Sequence, residues 1–219
     1  MKNIYVLILF ISFSTSGYSQ NVDIDLLNHI HTNRNENLDP ALKWITHSVT
    51  PLSLAVPVGT AAYALITKDD RSLQNAVEIA SSVVVSGVLS VGLKHAVNRE
   101  RPFDTYPFIT EVVPADSPSF PSGHTTHAFA LATSVTLVYP EWYVVVPAYL
   151  WAGTVGYTRM ALGVHYPSDV LAGALLGSGS AYLCHKINQK ITEKHGGIRF
   201  SSSMIGSEHV QLSLIIPLD

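Results

Sequence analysis

Three short blocks of this chain hold residue types suited to phosphate chemistry. The first is Lys94 with Arg101-Pro102, the second Pro121-Ser122-Gly123-His124, and the third Thr158-Arg159 with His165 and Asp169. Lys94, Arg101 and Arg159 are cations at the ends of otherwise uncharged apolar stretches. Arginine grips phosphate oxygens in a bidentate fork, and lysine adds a point charge. The second block opens a helix with Ser122 expected at its N-cap. Free backbone N–H groups and the positive dipole end make an anion site there, and Gly123 lets a ligand approach closely. Asp169 lies four residues after His165, just past Pro167, in the first turn of the following helix. A carboxylate so placed can hold one imidazole nitrogen as a protonated donor, leaving the other as a nucleophile. A second histidine, His124, could protonate a leaving oxygen. Residue types alone do not choose which histidine attacks.

Taken singly, each block has a plain structural explanation. Lys94 suits a helix C-terminus, Arg101-Pro102 a helix stop, and His165 with Asp169 a structural pair. Together they are much harder to explain that way. His127 follows His124 by three residues without further ligands nearby in the sequence. Neither a metal nor another cofactor is expected. Arg99 and His95 are read as solvated neighbours of the first block. His29, His31, His47, His185, His195 and His209 receive no role, and Cys184 is read as inert core.

The elements that must position these residues are helices. Trp44–Thr67, Ile79–Leu93, Ser117–Pro140, Trp142–Thr158 and Val170–His185 contain no Asp, Glu, Lys or Arg. A helix apolar all round is a membrane span or a deeply buried core helix. The fully apolar parts reach only about 15–18 residues, the lower limit for spanning. The expectation is an all-α bundle of about five to six core helices, spanning a membrane or standing as a soluble bundle. Ser86, Gly87, Ser90, Gly92, Gly173, Gly177 and Gly179 would permit close helix contact. Each chemical block sits at a helix end, and alternating helix direction brings all three ends to one face. Asn21–Asn37 reads as a short amphipathic helix, and Asp39-Pro40 as a cap followed by a first-turn proline. Phe103–Phe120, with four aromatic residues, is a loop that either touches a lipid tail or packs as loops do. The tail, residues 196–219, is β-like, with a short strand at Val210–Ile216 after Gly206-Ser207.

The order and spacing of the blocks resemble the signature of the type 2 phosphatidic acid phosphatase and vanadium haloperoxidase superfamily. That pattern is Lys, six residues, Arg-Pro; then Pro-Ser-Gly-His; then Ser-Arg, five residues, His, three residues, Asp. Thr158 stands where the family usually has Ser, and keeps the hydroxyl. The resemblance covers about residues 38–191. It implies a helical bundle and metal-independent hydrolysis of a phosphate ester through a phosphohistidine. By it, His165 is the nucleophile oriented by Asp169, and His124 is the general acid. Lys94, Arg101, Arg159, Ser122 and Gly123 bind the phosphate.

Composition narrows the partner. Lys and Arg number 13 against 16 Asp and Glu, net −3, so nucleic acid is not expected. Charged residues are only 13% of the chain. The single cysteine excludes an intramolecular disulfide framework. Residues 1–19 read as a signal peptide or an N-terminal anchor, with Lys2 before an apolar run. The domain would then be residues 20–195, exported, either in the inner membrane with its site facing the periplasm or soluble in the periplasm. The expected substrate is a phosphorylated lipid. The alternatives are a small phosphate ester, as for a soluble acid phosphatase, vanadate-dependent haloperoxidase chemistry, and a catalytically dead binding protein.

Overall fold

The computed structural model describes residues 18–195, 199–205 and 209–215. The expected export segment lies outside the described residues except for its last two positions. A first helix, α1, runs Tyr18–Thr32. A 3-10 turn at Glu36–Leu38 leads into α2, Asp39–His47. The bundle follows: α3, Val49–Thr67; α4, Asp70–Val97; a short α5, Pro102–Thr105; α6, Gly123–Val138; α7, Trp142–Ala161; and α8, Pro167–His195. The chain is all-α in its body, as expected. In the tail, Arg199–Ile205 and His209–Ile215 pair as an antiparallel hairpin, β1 and β2. The expected strand begins one residue later than β2 does. The Gly206-Ser207 turn lies outside the described residues.

The charge-free stretches resolve into these helices with some changes of boundary. Trp44–Thr67 is not one helix: the chain breaks at Ser48, whose hydroxyl donates to the Ile45 carbonyl at 2.6 Å and accepts from Trp151 Nε1 at 3.0 Å. Asp39 is not the cap of α2 but lies inside its first turn, where it pairs with Arg34 at 3.1 Å.

The central helix is α6, packed against α4, α7 and α8. Small residues such as Ala128, Ala130, Ala132 and Ser134 cover it on several sides, and all of these are buried. Its closest neighbour is α8. A Cβ on Gly177 would stand 2.2 Å from the Thr126 carbonyl oxygen, and one on Gly173 would stand 2.7 Å from the Ser122 carbonyl oxygen. Only glycine admits this approach. It locks the start of α8 to the start of α6, where two of the three chemical blocks lie. Val49, Ala128, Ala132, Ala152 and Val155 form a core among α3, α6 and α7.

The opposite end of the bundle carries its own polar contact. Glu78 of α4 is 4% exposed. Its carboxylate faces His185 Nδ1 at 2.6 Å and accepts from Asn188 Nδ2 at 2.8 Å. His185, without a role in the sequence reading, therefore ties α8 to α4.

The bundle's outside is apolar. Val58, Leu65 and Ile66 on α3, Val84, Val88 and Val91 on α4, Leu150 on α7, and Leu171, Leu175 and Leu183 on α8 are all exposed. Glu36–Thr67 and Asp70–Thr105 are long and apolar enough to cross a membrane, with 22% and 33% of their most apolar windows buried inside the molecule. By this criterion two stretches, rather than five, reach spanning length among the described residues.

Candidate active site

The three blocks converge. Lys94 at the end of α4, Arg101 before α5, Gly123 and His124 at the start of α6, Arg159 in the last turn of α7 and His165 between α7 and α8 line one cavity of about 470 Å³. The alternating helix directions bring these ends together.

His165 is 2% exposed and its two ring nitrogens face different surroundings. Nδ1 lies 3.6 Å from Asp169 Oδ2 and 3.4 Å from Ser119 Oγ. Nε2 lies 3.5 Å from Arg101 Nη1, on the side of the cations. Burial pushes the imidazole down to about 3, outweighing the opposite pull of Asp169. The ring is thus neutral at physiological pH, with a lone pair available on one nitrogen. The side chains at Nδ1 favour its proton there, which leaves Nε2 toward the cavity.

Asp169 is fully buried, and its neighbours explain how a carboxylate tolerates this. Oδ2 accepts from Ser119 Oγ at 2.5 Å and from the Tyr166 N–H at 3.0 Å. Oδ1 accepts from Arg99 Nη1 at 2.7 Å. Arg99 in turn pairs with Asp23 of α1 at 2.8 Å and stacks over the Tyr166 ring at 3.8 Å. The reading of Arg99 as a solvated neighbour is therefore corrected: it is the cationic partner of Asp169. Ser119 and Asp23 also escaped the sequence reading. Asp23 lies in a polar helix 146 residues before Asp169, and no local spacing links the two.

The three cations are held differently. Arg101 is 5% exposed and donates Nε to the Ser117 carbonyl and Nη1 to the Val164 carbonyl, each at 2.7 Å. Lys94 Nζ donates to the Pro118 carbonyl. Arg159 is 3% exposed and donates Nη1 to Thr46 Oγ1 at 2.8 Å, while its buried Nε has no partner among the described residues. A buried guanidinium N–H without an acceptor is costly.

Ser122 is the N-cap of α6, but its side chain makes no cap bond; its hydroxyl accepts from Thr125 Oγ1 at 2.9 Å. Its backbone N–H donates to the Asp169 carbonyl at 3.0 Å, so Ser122 joins the second block to the third. Gly123 lines the cavity and Ser122 does not. Thr158 is buried and donates its hydroxyl to the Val155 carbonyl at 2.7 Å, within its own helix. Among the described residues, no group of three or more His, Cys, Asp or Glu is placed to hold a metal ion.

The aromatic loop is divided: Phe108 is 53% exposed, while two of its rings pack inward. Phe103 and Tyr106 sit on the core of Ile24, Leu27, Ile109 and Tyr166, and Tyr106 meets Tyr166 edge-on at 6.5 Å. His31 anchors the same region: Nδ1 donates to the Ala161 carbonyl at 2.9 Å, and Nε2 accepts from the Thr110 N–H at 3.2 Å. Gly163, at φ +76, turns the chain from α7 toward His165.

A family model described as the PAP2 superfamily matches residues 75–193, which include all three blocks. An undecaprenyl-diphosphatase of Sulfolobus acidocaldarius is 30% identical over 83% of this chain and 86% of its own. A lipid A 4'-phosphatase of Bacteroides thetaiotaomicron is 33% identical over 48% of this chain and 46% of its own. A lipid A 1-phosphatase of Rhizobium etli is 35% identical over 54% and 55% respectively. The chain thus spans about half the length of these last two relatives. Among solved structures, a transmembrane PAP2-type phosphatidylglycerolphosphate phosphatase from Bacillus subtilis superposes with a TM-score of 0.66 at 25% identity, over 81% of this chain and 89% of that one. Aquifex aeolicus LpxE shares the fold with a TM-score of 0.65 at 24% identity, over 75% and 95%.

Proposed function

The chain belongs to the PAP2 superfamily, and on that premise we propose that it is a metal-independent phosphatase of a phosphorylated lipid, working through a phosphohistidine. The observation that carries this is the orientation of His165. One nitrogen faces a buried carboxylate and the other faces Arg101 in a cavity walled by three cations. In this reading Nε2 of His165 attacks phosphorus, and the bond from phosphorus to the leaving oxygen breaks. His124 protonates that oxygen, and Asp169 stabilises the charge that develops on the His165 ring. Lys94, Arg101, Arg159 and the N–H groups at Gly123 hold the equatorial oxygens. Water then cleaves the phosphorus–nitrogen bond, releasing phosphate and restoring the histidine. The cations offset phosphate charge that a metal would otherwise meet.

A lipid substrate and a membrane seat are supported by the exposed apolar faces of α3, α4, α7 and α8 and by the lipid-phosphate relatives. We assign the chemistry to the helical unit 20–195, export or anchoring to residues 1–19, and no part of the site to residues 196–219.

The test combines EDTA with leaving-group dependence. Purified protein should hydrolyse lipid phosphates in EDTA, and vanadate should inhibit. Strict dependence on added magnesium overturns the mechanism. His165→Ala should lose more than the ~10²–10⁴-fold usual for one acid–base group. His124→Ala should spare p-nitrophenyl phosphate far more than alkyl phosphates. Acid quench with labelled substrate should trap phosphate on His165. Label on His124 would reverse the two roles.

A further inference from the structure

No described residue of α1 belongs to the three blocks or lines the cavity, yet α1 reaches the carboxylate beside His165. Asp23 makes the contact. Its Oδ1 accepts the Ser168 backbone N–H at 2.9 Å, and its Oδ2 accepts the Ser168 hydroxyl at 2.5 Å and Arg99 Nη2 at 2.8 Å. Ser168 lies in the first turn of α8, where a helix leaves its N–H groups without internal partners. Asp23 thus caps α8 from another helix. Arg99 completes the cluster, because its Nη1 donates to the Ser168 hydroxyl and to Asp169 Oδ1, each at 2.7 Å.

Asp23 is held at one spot. Ile24 and Leu27, the next apolar positions of α1, are buried and share a core with Ile109 and Tyr166. At the other end of α1, His31 bonds the Ala161 carbonyl and the Thr110 N–H. Both ends of α1 are therefore fixed to the elements that surround the third block. The side chains of Asp23 and Arg99 are 12% and 28% exposed, so solvent screens their charges only in part.

The charge balance at Asp169 depends on this contact. When His165 attacks phosphorus, its ring passes from neutral to positive, and Asp169 stabilises that charge. Arg99 and Asp169 alone would form a neutral pair with little net attraction for the ring. Asp23 offsets the guanidinium, so the group of Asp23, Arg99 and Asp169 keeps one net negative charge beside His165.

We infer that Asp23 is a positioning residue for the reaction, and that α1 is a clamp whose carboxylate holds Arg99 and the first turn of α8 so that Asp169 stays aimed at His165 with its charge available. The inference rests on the phosphatase reading and adds to it an element outside the cavity.

The test is steady-state kinetics on phosphatidate in detergent micelles, with each variant assayed well below its own unfolding temperature. Asp23→Asn keeps an acceptor for the cap and loses the charge. Its kcat should fall about 5–20-fold with KM within about 2-fold, the mark of an interaction made in the transition state. Asp23→Ala, without cap or charge, should lose more, and Asp23→Glu, which keeps the charge, should lose less. In an Arg99→Gln background, Asp23→Asn should cost less than about 2-fold, because the charge that Asp23 offsets is gone. This double variant leaves no carboxylate of α1 unpaired, so it decides the question even if Asp23→Asn alone does not fold. An Asp23→Asn variant with wild-type kcat, a change confined to KM, or an equal loss in the wild-type and Arg99→Gln backgrounds overturns the clamp and leaves the phosphatase reading intact. A wild type inactive on both phosphatidate and p-nitrophenyl phosphate overturns both.

Discussion

Arg99 shows how a residue away from the reacting atoms can control them. Its guanidinium meets Asp169 Oδ1 at 2.7 Å and Asp23 at 2.8 Å, while Asp169 Oδ2 faces His165. A charge-assisted hydrogen bond to a buried carboxylate contributes about 1.5–3 kcal/mol. Arg99→Gln should therefore lower kcat about 10- to 100-fold, if most of that energy is lost in the transition state. KM should change little, because Arg99 does not line the phosphate cavity. Steady-state kinetics separate the two parameters; a rise in KM at unchanged kcat would contradict the positioning role. Six residues of the cavity lining, Lys94, Arg101, Gly123, His124, Arg159 and His165, were legible in the sequence because their types and spacings are local, as was Asp169 four residues after His165. Arg99, Ser119 and Asp23 were not. Their role exists only once α1, the 106–120 loop and the start of α8 meet, and an isolated Arg, Ser or Asp carries no periodic signal.

At the scale of elements, the existence of each long helix could be read from charge-free runs, but their ends could not. Ser48 divides Trp44–Thr67 because its hydroxyl bonds locally and to Trp151, a tertiary contact invisible in the run. Gly173 and Gly177 could be read as small residues for close contact, yet which helix they touch required the fold. That contact gives a direct test. In Gly177→Ala, the new methyl would lie 2.2 Å from the Thr126 carbonyl oxygen, a backbone atom with little room to yield. The two helices must separate, at a cost of about 1–3 kcal/mol or more. Because α6 carries His124 and α8 carries Asp169, activity should fall with stability. Thermal unfolding and turnover of the variant check both. Gly179→Ala on the same helix meets nothing within 4 Å and is the control, expected to unfold near the wild-type temperature.

For the whole molecule, polarity along the bundle axis matters most. The described α4 runs from Asp70 to Val97, 28 residues. At 1.5 Å per residue it is about 42 Å long, more than the ~30 Å hydrocarbon core of a bilayer. Asp70 and Lys94, which lines the cavity, therefore fall near opposite faces of any membrane that α4 crosses. Lys68, Arg71, Lys186, Lys190 and Lys194 gather toward the end away from the cavity. Cations at that end favour its retention in the cytoplasm, and the expected outcome is a cavity that opens outward. Neither point depends on residues 1–17. Single cysteines in a Cys184→Ser background test the arrangement. A cysteine replacing Asp116, exposed in the cavity lining, should react with an impermeant thiol reagent in intact cells. One replacing Asp70 should react only after the membrane is opened. Equal labelling of both in intact cells would exclude a spanning α4, and labelling of the Asp70 position alone would invert the bundle. Release of the protein by carbonate wash would make the apolar faces of α3, α4, α7 and α8 a peripheral or protein-covered surface instead.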